Sequence, residues 1–237
     1  MKKCFFIAVF YFSPLGLFCQ FNLITVLPDN TKNCKTLNYS GLTIIFDNDH
    51  CIPLCSVELL TKEHIFHPVT DRKYETFYND ENVPCSRIEY YRHSGQDRGH
   101  LTPAADMKYS KESEHDCFKS SNICPQSHDF NTGIWEDLEK QVRQWAIKYD
   151  SLVVITAPVI GSCTQNGNLV VPGKFYKIIY SVKYHKAIAF LMDASLTNDV
   201  IFNYEFPVSD IIKTTGLDYF SHYKVKNLDT IDKHFWN

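Results

Sequence analysis

Residues 122–149 read NICPQSHDFNTGIWEDLEKQVRQWAIKY, and the tetrapeptide DRGH precedes them at 97–100. In the second half of this stretch the apolar residues recur at helical spacing, which predicts an amphipathic helix over 132–149. Its apolar stripe consists of Ile134, Trp135, Leu138, Val142 and Trp145. Asn131 stands at the start of this helix, where asparagine is favoured as an N-cap.

Short apolar and β-branched runs flank the helix on both sides along the chain. They predict strands over 42–46, 55–60, 152–156, 169–171, 175–182 and 186–191. The run at 152–156 is β-branched and bounded by Ala157-Pro158, which favours a central strand. Hairpin-like connections predict an α+β domain with a mostly antiparallel central sheet flanked by helices. Residues 63–96 are polar and irregular, so we expect a long surface segment whose tip approaches the functional site.

The chain has 237 residues, of which 44% are hydrophobic, enough for one packed domain. Lys2-Lys3 followed by an apolar run at 5–18 is typical of a secretory signal peptide, and that run is too short to span a membrane. We therefore expect a signal peptide at 1–19 and a single domain at 20–237, secreted or periplasmic, without a membrane anchor after cleavage. A buried N-terminal strand or helix is the alternative.

Nine cysteines are many for a reducing compartment, and export would favour disulfides. Seven remain without Cys4 and Cys19, an odd number that leaves at least one thiol outside intramolecular pairs, and their connectivity stays open. The cysteine spacing lacks two C-x-x-C pairs and does not favour a zinc site. The formal charge of −3 excludes no polyanionic ligand, since binding depends on a local basic cleft.

Several side chains around the helix have the chemistry of phosphodiester hydrolysis. An imidazole such as that of His100 can accept a proton near neutral pH, and Asp97 could orient that ring. Glu139 and Arg143 lie one helical turn apart on a flank of the apolar stripe. Taken alone, that pair is better explained as an exposed ion pair on a capped helix. Its distance from DRGH is what favours a functional site. His93, His115 and His128 lie nearby but lack the motif's neighbours.

The order and spacing of DRGH, N-x-x-P-Q at 122–126 and N-x-x-x-W-x-x-x-E at 131–139 resemble the DNA/RNA non-specific endonucleases, which are ββα-metal nucleases. The resemblance extends to 53–59, 101–106, 171–177 and 214–220. It implies a ββα-metal active-site motif and an endonuclease that hydrolyses DNA and RNA with little sequence specificity.

The resemblance also implies a role for each matching residue. His100 would be the general base, Asn131 the protein ligand of a hydrated Mg²⁺, and Glu139 the holder of metal-bound waters. Arg98 and Arg143 would contact phosphate. Asn122 and Gln126 match the polar pair assigned to substrate binding and support, Trp135 matches the aromatic behind the site, and Arg72 or Arg87 could be a further phosphate ligand.

Mg²⁺ is the expected cofactor, with Mn²⁺ as a substitute, because a single neutral ligand plus waters suits a cation that dehydrates reluctantly. DNA and RNA are the expected partners, and the oligomeric state stays open, with a homodimer as one option. The alternative function is a catalytically inactive nuclease-fold module that binds nucleic acid or protein. A serine or cysteine hydrolase is disfavoured because no G-x-S-x-G occurs.

Overall fold

The computed structural model describes residues 22–70, 75–223, 225 and 227–237. The predicted signal peptide at 1–19 and Arg72 therefore lie outside the described residues. In the described part of the chain, no helix is long and apolar enough to cross a membrane.

A seven-stranded antiparallel sheet forms the centre of the fold, in the order β1-β2-β3-β6-β9-β10-β11. Two further strand pairs, β4-β5 and β7-β8, lie outside it. The strands are β1 (Cys34–Asn38), β2 (Leu42–Asp47), β3 (Ile52–Thr61), β4 (Asp97–His100), β5 (Ile123–Gln126), β6 (Ser151–Pro158), β7 (Thr164–Asn166), β8 (Leu169–Val171), β9 (Lys174–Ser181), β10 (Lys186–Asp193) and β11 (Glu205–Phe206).

The α-helices are α1 (Lys62–Phe66), α2 (Lys111–Cys117), α3 (His128–Thr132), α4 (Ile134–Tyr149), α5 (Val208–Thr215) and α6 (Lys233–Trp236). The predicted α+β class with a mostly antiparallel sheet is confirmed. β6 is the central strand, as predicted, and the β4-β5 hairpin followed by α3 and α4 is the expected ββα unit.

The two faces of the sheet bury different sets of side chains, because residues alternate between faces along each strand. α4 covers one face, here called the site face, where Leu152 and Val154 of β6 pack against the predicted apolar stripe of the helix. The short 3₁₀ helix Leu23–Val26 and α5 cover the opposite face, where Val153 and Ile155 lie. The central strand is therefore buried on both sides, which explains its continuous apolar run.

The predicted helix over 132–149 is in fact two helices. α3 ends at Thr132, Gly133 has φ −105° and ψ −119°, and α4 begins at Ile134. A Cβ at Gly133 would collide with the backbone carbonyl oxygens of Asp129 and Thr197, so the break needs glycine. The prediction that Asn131 caps the long helix is therefore wrong; the Ile134 amide donates instead to the Thr197 carbonyl at 2.9 Å.

Candidate active site

The DRGH residues form strand β4, which pairs with β5 so that Asp97 lies opposite Gln126 and His100 opposite Ile123. Gly99 is buried in this hairpin, and a Cβ there would collide with the Gln126 side chain. The glycine thus allows the two strands to pair over a buried glutamine. The hairpin presents Arg98 and His100 along one side of β4.

His100 is partly buried between aromatic rings. Its imidazole centroid lies 5.1 Å from that of Phe77 and 4.9 Å from that of Phe118, the latter edge-on. Arg98 lies on the same aromatic group, with its guanidinium carbon 4.6 Å from the centre of the Phe77 ring. Phe77 therefore positions both side chains, a role that the sequence motif did not reveal.

Asn131 lies inside α3, a short helix that the Ser127 hydroxyl caps by accepting from the Phe130 amide. Its side-chain Nδ2 donates to Oδ2 of Asp97 at 3.0 Å. This bond fixes the orientation of the amide, so that the carbonyl Oδ1 is the atom that remains to accept or to bind a cation. Asp97 thus acts on the predicted metal ligand.

We expected Asp97 to orient His100, but its hydrogen bonds are to other residues. Strand alternation directs the two side chains to opposite sides of β4, and the contacts of Asp97 are with α3. Besides Asn131, its Oδ2 lies 2.9 Å from Nδ1 of His128, an exposed histidine. The carboxylate therefore ties the start of the DRGH strand to the helix that carries Asn131.

A cleft of about 740 Å³ runs alongside these residues. Asp97, Arg98 and Asn131 are among the residues that line it, together with Asn79, Tyr91 and Arg92. We expected part of the segment 63–96 to approach the site, and eight of its residues do line the cleft: Phe77, Tyr78, Asn79, Ile88, Glu89, Tyr91, Arg92 and Gln96. Arg87 forms an ion pair with Glu89, a lining residue, with Nε 3.5 Å from Oε2.

Helix α4 holds the other predicted site residues one turn apart. Glu139 keeps some solvent exposure, although burial raises its pKa to about 7 against the opposing influence of Lys177. Arg143 donates from Nη1 to Oδ1 of Asp106 at 3.0 Å, and its side chain is 19% exposed. Trp135 is buried, stacked on Phe130 at 5.2 Å between centroids, which agrees with a packing role behind the site.

Asn122 and Gln126 are not placed to bind substrate, and that prediction is wrong. Both side chains are fully buried. Asn122 accepts from the Thr102 amide and donates to the carbonyls of Thr102 and Cys117, so it holds the loop after β4 against the end of α2. The buried Gln126 lies beneath Gly99. Their amides stay inside because the β4-β5 hairpin closes over them.

Sequence reasoning missed two charged residues that lie beneath this site, Glu58 of β3 and Lys177 of β9. Each is 1% exposed and lies on the site face of the sheet. Lys177 donates to the Thr156 hydroxyl at 2.6 Å and lies over the Trp135 ring at 5.0 Å. The available signal was a charge inside an otherwise apolar strand, SVELL at 56–60 and FYKII at 175–179, since such charges are rarely buried without a partner.

The donor chemistry fits a hard divalent cation. Asn131 offers a neutral oxygen, and the carboxylate of Glu139 could hold water molecules, a set that suits a cation that keeps most of its hydration shell. Among the described residues no group of three or more His, Cys, Asp and Glu side chains is placed to hold a metal ion. A metal here would therefore depend on one amide and on water.

Comparison with known proteins identifies the family of this chain. The model of the DNA/RNA non-specific endonuclease family matches residues 21–226. Among curated proteins, Nuclease 1, mitochondrial, of Schizosaccharomyces pombe is 30% identical over 77% of this chain and 65% of its own length. Nuclease EXOG, mitochondrial, of Mus musculus is 27% identical over 84% of this chain and 61% of its own length.

Among solved structures, that of an EndoG/EndoGI complex superposes with a TM-score of 0.78 and 25% identity, over 89% of this chain and 94% of the matched chain. The fold, the DRGH hairpin and the family match together define a ββα-metal nuclease fold. This chain belongs to the DNA/RNA non-specific endonuclease family. It spans about three fifths of the length of the two curated relatives above.

The expected secreted or periplasmic location is wrong. The relatives from Schizosaccharomyces pombe, Mus musculus, Saccharomyces cerevisiae and Homo sapiens are named as mitochondrial nucleases, which points to mitochondria instead.

Proposed function

We propose that this protein is a metal-dependent endonuclease that hydrolyses phosphodiester bonds of DNA and RNA with little sequence specificity. The observation that carries the proposal is the bond from Asn131 Nδ2 to Asp97 Oδ2, which leaves the asparagine carbonyl as the free oxygen at a cleft that Arg98 also lines. A nuclease site needs a cation position and a phosphate-binding guanidinium near a base, and Asn131 and Arg98 at the cleft support the first two of these.

His100 is the proposed general base. Its ring is held between Phe77 and Phe118, and Phe77 is one of the residues that line the cleft in which a scissile phosphate would bind. A neutral imidazole there can take a proton from the attacking water. Arg98, fixed over Phe77, would bind a phosphoryl oxygen and hold the phosphodiester in line.

Mg²⁺, or Mn²⁺ as a substitute, would be held by Oδ1 of Asn131 and by waters that Glu139 binds. When bound, such a cation supplies charge neutralisation for the leaving oxygen. The residues around the cation would contact the phosphate and sugar of the substrate. Contacts to the nucleic-acid backbone carry no direct sequence information. Little sequence specificity is therefore expected.

The test incubates the protein with plasmid DNA and with total RNA, in Mg²⁺ and in EDTA, beside His100→Ala. Removing a general base costs about 10²–10⁴-fold in rate, so the variant should lose cleavage by that amount while keeping its melting temperature. His222→Ala is the matched control, because His222 pairs with Asp29 at the surface, outside the site. Cleavage by His100→Ala at the normal rate would assign the base to another residue.

Asn131→Ala supplies the second arm. It should slow cleavage and shift the Mg²⁺ dependence to higher concentration, because the only proposed direct protein ligand would be absent. An unchanged Mg²⁺ titration would remove Asn131 from the metal site. Binding of both nucleic acids without cleavage under Mg²⁺ and Mn²⁺ would instead favour the inactive nuclease-fold module.

A further inference from the structure

Five ionisable side chains form a buried charged layer between the sheet and helix α4. They are Glu58, Asp106, Lys177, Glu139 and Arg143. Glu58 and Lys177 stand on the site face among apolar neighbours, and both are 1% exposed. Burial of a charge is unfavourable unless it is paired, so packing alone does not explain this layer.

Asp106 is the member of the layer that contacts Arg143 directly. It comes from the loop that follows β4, its side chain is 2% exposed, and its Oδ1 accepts from Nη1 of Arg143 at 3.0 Å. A guanidinium carries five N–H donors, so this bond leaves most of them available. The 19% exposure of the Arg143 side chain shows that part of it still reaches solvent.

Glu58 supports Asp106 from the sheet side. Both of its carboxyl oxygens are shielded from solvent and make no hydrogen bond to a donor among the described residues. The carboxylate of Asp106 is the charged neighbour that acts most strongly on Glu58, and with burial it raises the pKa of Glu58 well above its usual range. Two neighbouring buried carboxylates repel each other, so the pair favours the form in which Glu58 is protonated. Its O–H then donates to Asp106.

With Glu58 protonated, Asp106 remains as the counter-charge of Arg143. Lys177 lies among the remaining acids, and Glu139 is the acid that interacts with it most strongly. This arrangement holds the Arg143 guanidinium through its hydrogen bond to Asp106 and leaves its remaining N–H donors free. A pre-oriented arginine binds phosphate better than a mobile one, because less side-chain freedom is lost on binding.

We propose that Asp106, held by Glu58, is a positioning residue that fixes the Arg143 guanidinium for contact with a backbone phosphate of the nucleic acid. The inference rests on the proposed function, since it assigns Arg143 to substrate binding. It adds two residues, Glu58 and Asp106, that touch neither substrate nor metal.

The first test needs no nucleic acid. Side-chain NMR of the guanidinium groups measures how fast Arg143 rotates about its Cζ–N bonds in the free protein. Rotation should be hindered in the parent and in Asp210→Asn, a control that alters an exposed acid paired with Lys213, and at least about tenfold faster in Asp106→Asn. Free rotation in the parent, or no change in Asp106→Asn, would overturn the proposed positioning.

The second test measures binding of a fluorescein-labelled 16-base-pair duplex in EDTA at several salt concentrations. Asp106→Asn should raise Kd about 5–10-fold and lower the salt slope by about 1, the effect of losing one phosphate contact. Arg143→Ala should do the same, and the double variant should be no worse than Arg143→Ala. Additive losses would show that Asp106 acts on the fold and not through Arg143.

A pair of variants at Glu58 keeps the test valid if Asp106→Asn folds poorly. Glu58→Gln retains an N–H donor for Asp106 and should bind like the parent, whereas the similarly sized Glu58→Leu should behave like Asp106→Asn. Equal binding by the two would overturn the role of Glu58. A parent protein with hindered Arg143 that neither binds nor cleaves nucleic acid would overturn the proposed function and the phosphate contact, while the Asp106–Arg143 contact itself would stand.

Discussion

Tyr176 and Lys177 are neighbours on β9 and are both buried, but their side chains lie on opposite faces of the sheet. Tyr176 joins an apolar cluster with α5, and its one polar atom hydrogen-bonds to the hydroxyl of Tyr219 at 2.7 Å. Lys177 lies among carboxylates beneath α4. The opposite face thus resembles an ordinary hydrophobic core. The site face also contains buried charged residues, which lie beneath the predicted site residues of α4.

The first prediction compares variants of these two neighbours. Lys177→Met removes the cation that compensates the buried carboxylates and should destabilise the protein by about 3–5 kcal/mol, the usual effect of breaking a buried charged group's pairing. Tyr176→Phe loses one hydrogen bond and should lose only about 0.5–1.5 kcal/mol, with cleavage unchanged. Urea denaturation of both variants measures the difference. Equal destabilisation would mean that the two faces do not differ in the way described.

The second prediction compares two cysteines near β3. Cys51 is bridged to Cys85, and this disulfide ties the β2–β3 turn to the segment that lines the cleft, whereas Cys55 is a free, buried thiol on the opposite face. Cys51→Ser/Cys85→Ser opens a loop closed by a 34-residue separation and should lower stability by about 2–4 kcal/mol. It should also weaken nucleic-acid binding.

The matched control for the disulfide is Cys55→Ala, which should lower stability without affecting binding, because it only loses packing on the face away from the cleft. Thermal unfolding with and without reductant gives an independent measurement. A parent whose melting temperature does not respond to strong reductant would show that the bridge contributes no stability.

The third prediction concerns the pH dependence of stability that arises from the site face. The native protein keeps the Glu58 proton that the unfolded chain loses above its ordinary pKa, so unfolding releases a proton and stability falls as pH rises through this window. One proton corresponds to about 1.4 kcal/mol per pH unit. Glu58→Gln removes this contribution and should gain stability relative to the parent as the pH rises above the ordinary pKa of a glutamate.

Urea denaturation at several pH values compares the slopes of the parent and Glu58→Gln, while Asp106, Glu139, Lys177 and Arg143 around this position stay the same in both. Glu63→Gln, a substitution at an exposed position, is the control. The pH dependence of its free energy of unfolding should match that of the parent. Parallel slopes for Glu58→Gln would show that Glu58 is ionised in the native protein.

Much of the fold was predictable from local patterns. Period-2 and period-3.6 patterns located the main strands and the apolar stripe of α4, and the strand at 169–171 is reproduced at both ends. The break at Gly133 was missed, because a glycine inside a helical pattern is tolerated and its necessity depends on the distant carbonyl of Thr197. Strand β1 was also missed, since its residues are mostly exposed and carry no clear apolar alternation.

The sequence by itself determined the predicted class of site. DRGH, Asn131 and Glu139 follow one another at a characteristic spacing, and this spacing can be read without knowledge of the fold. Only the tertiary structure decided what each side chain touches. It turned Asp97 toward Asn131, buried Asn122 and Gln126, and brought Glu58 and Lys177 beneath α4 from strands far away in sequence. The physical reason is that burial and charge pairing depend on which strand faces which helix, and those contacts join residues that no local pattern relates.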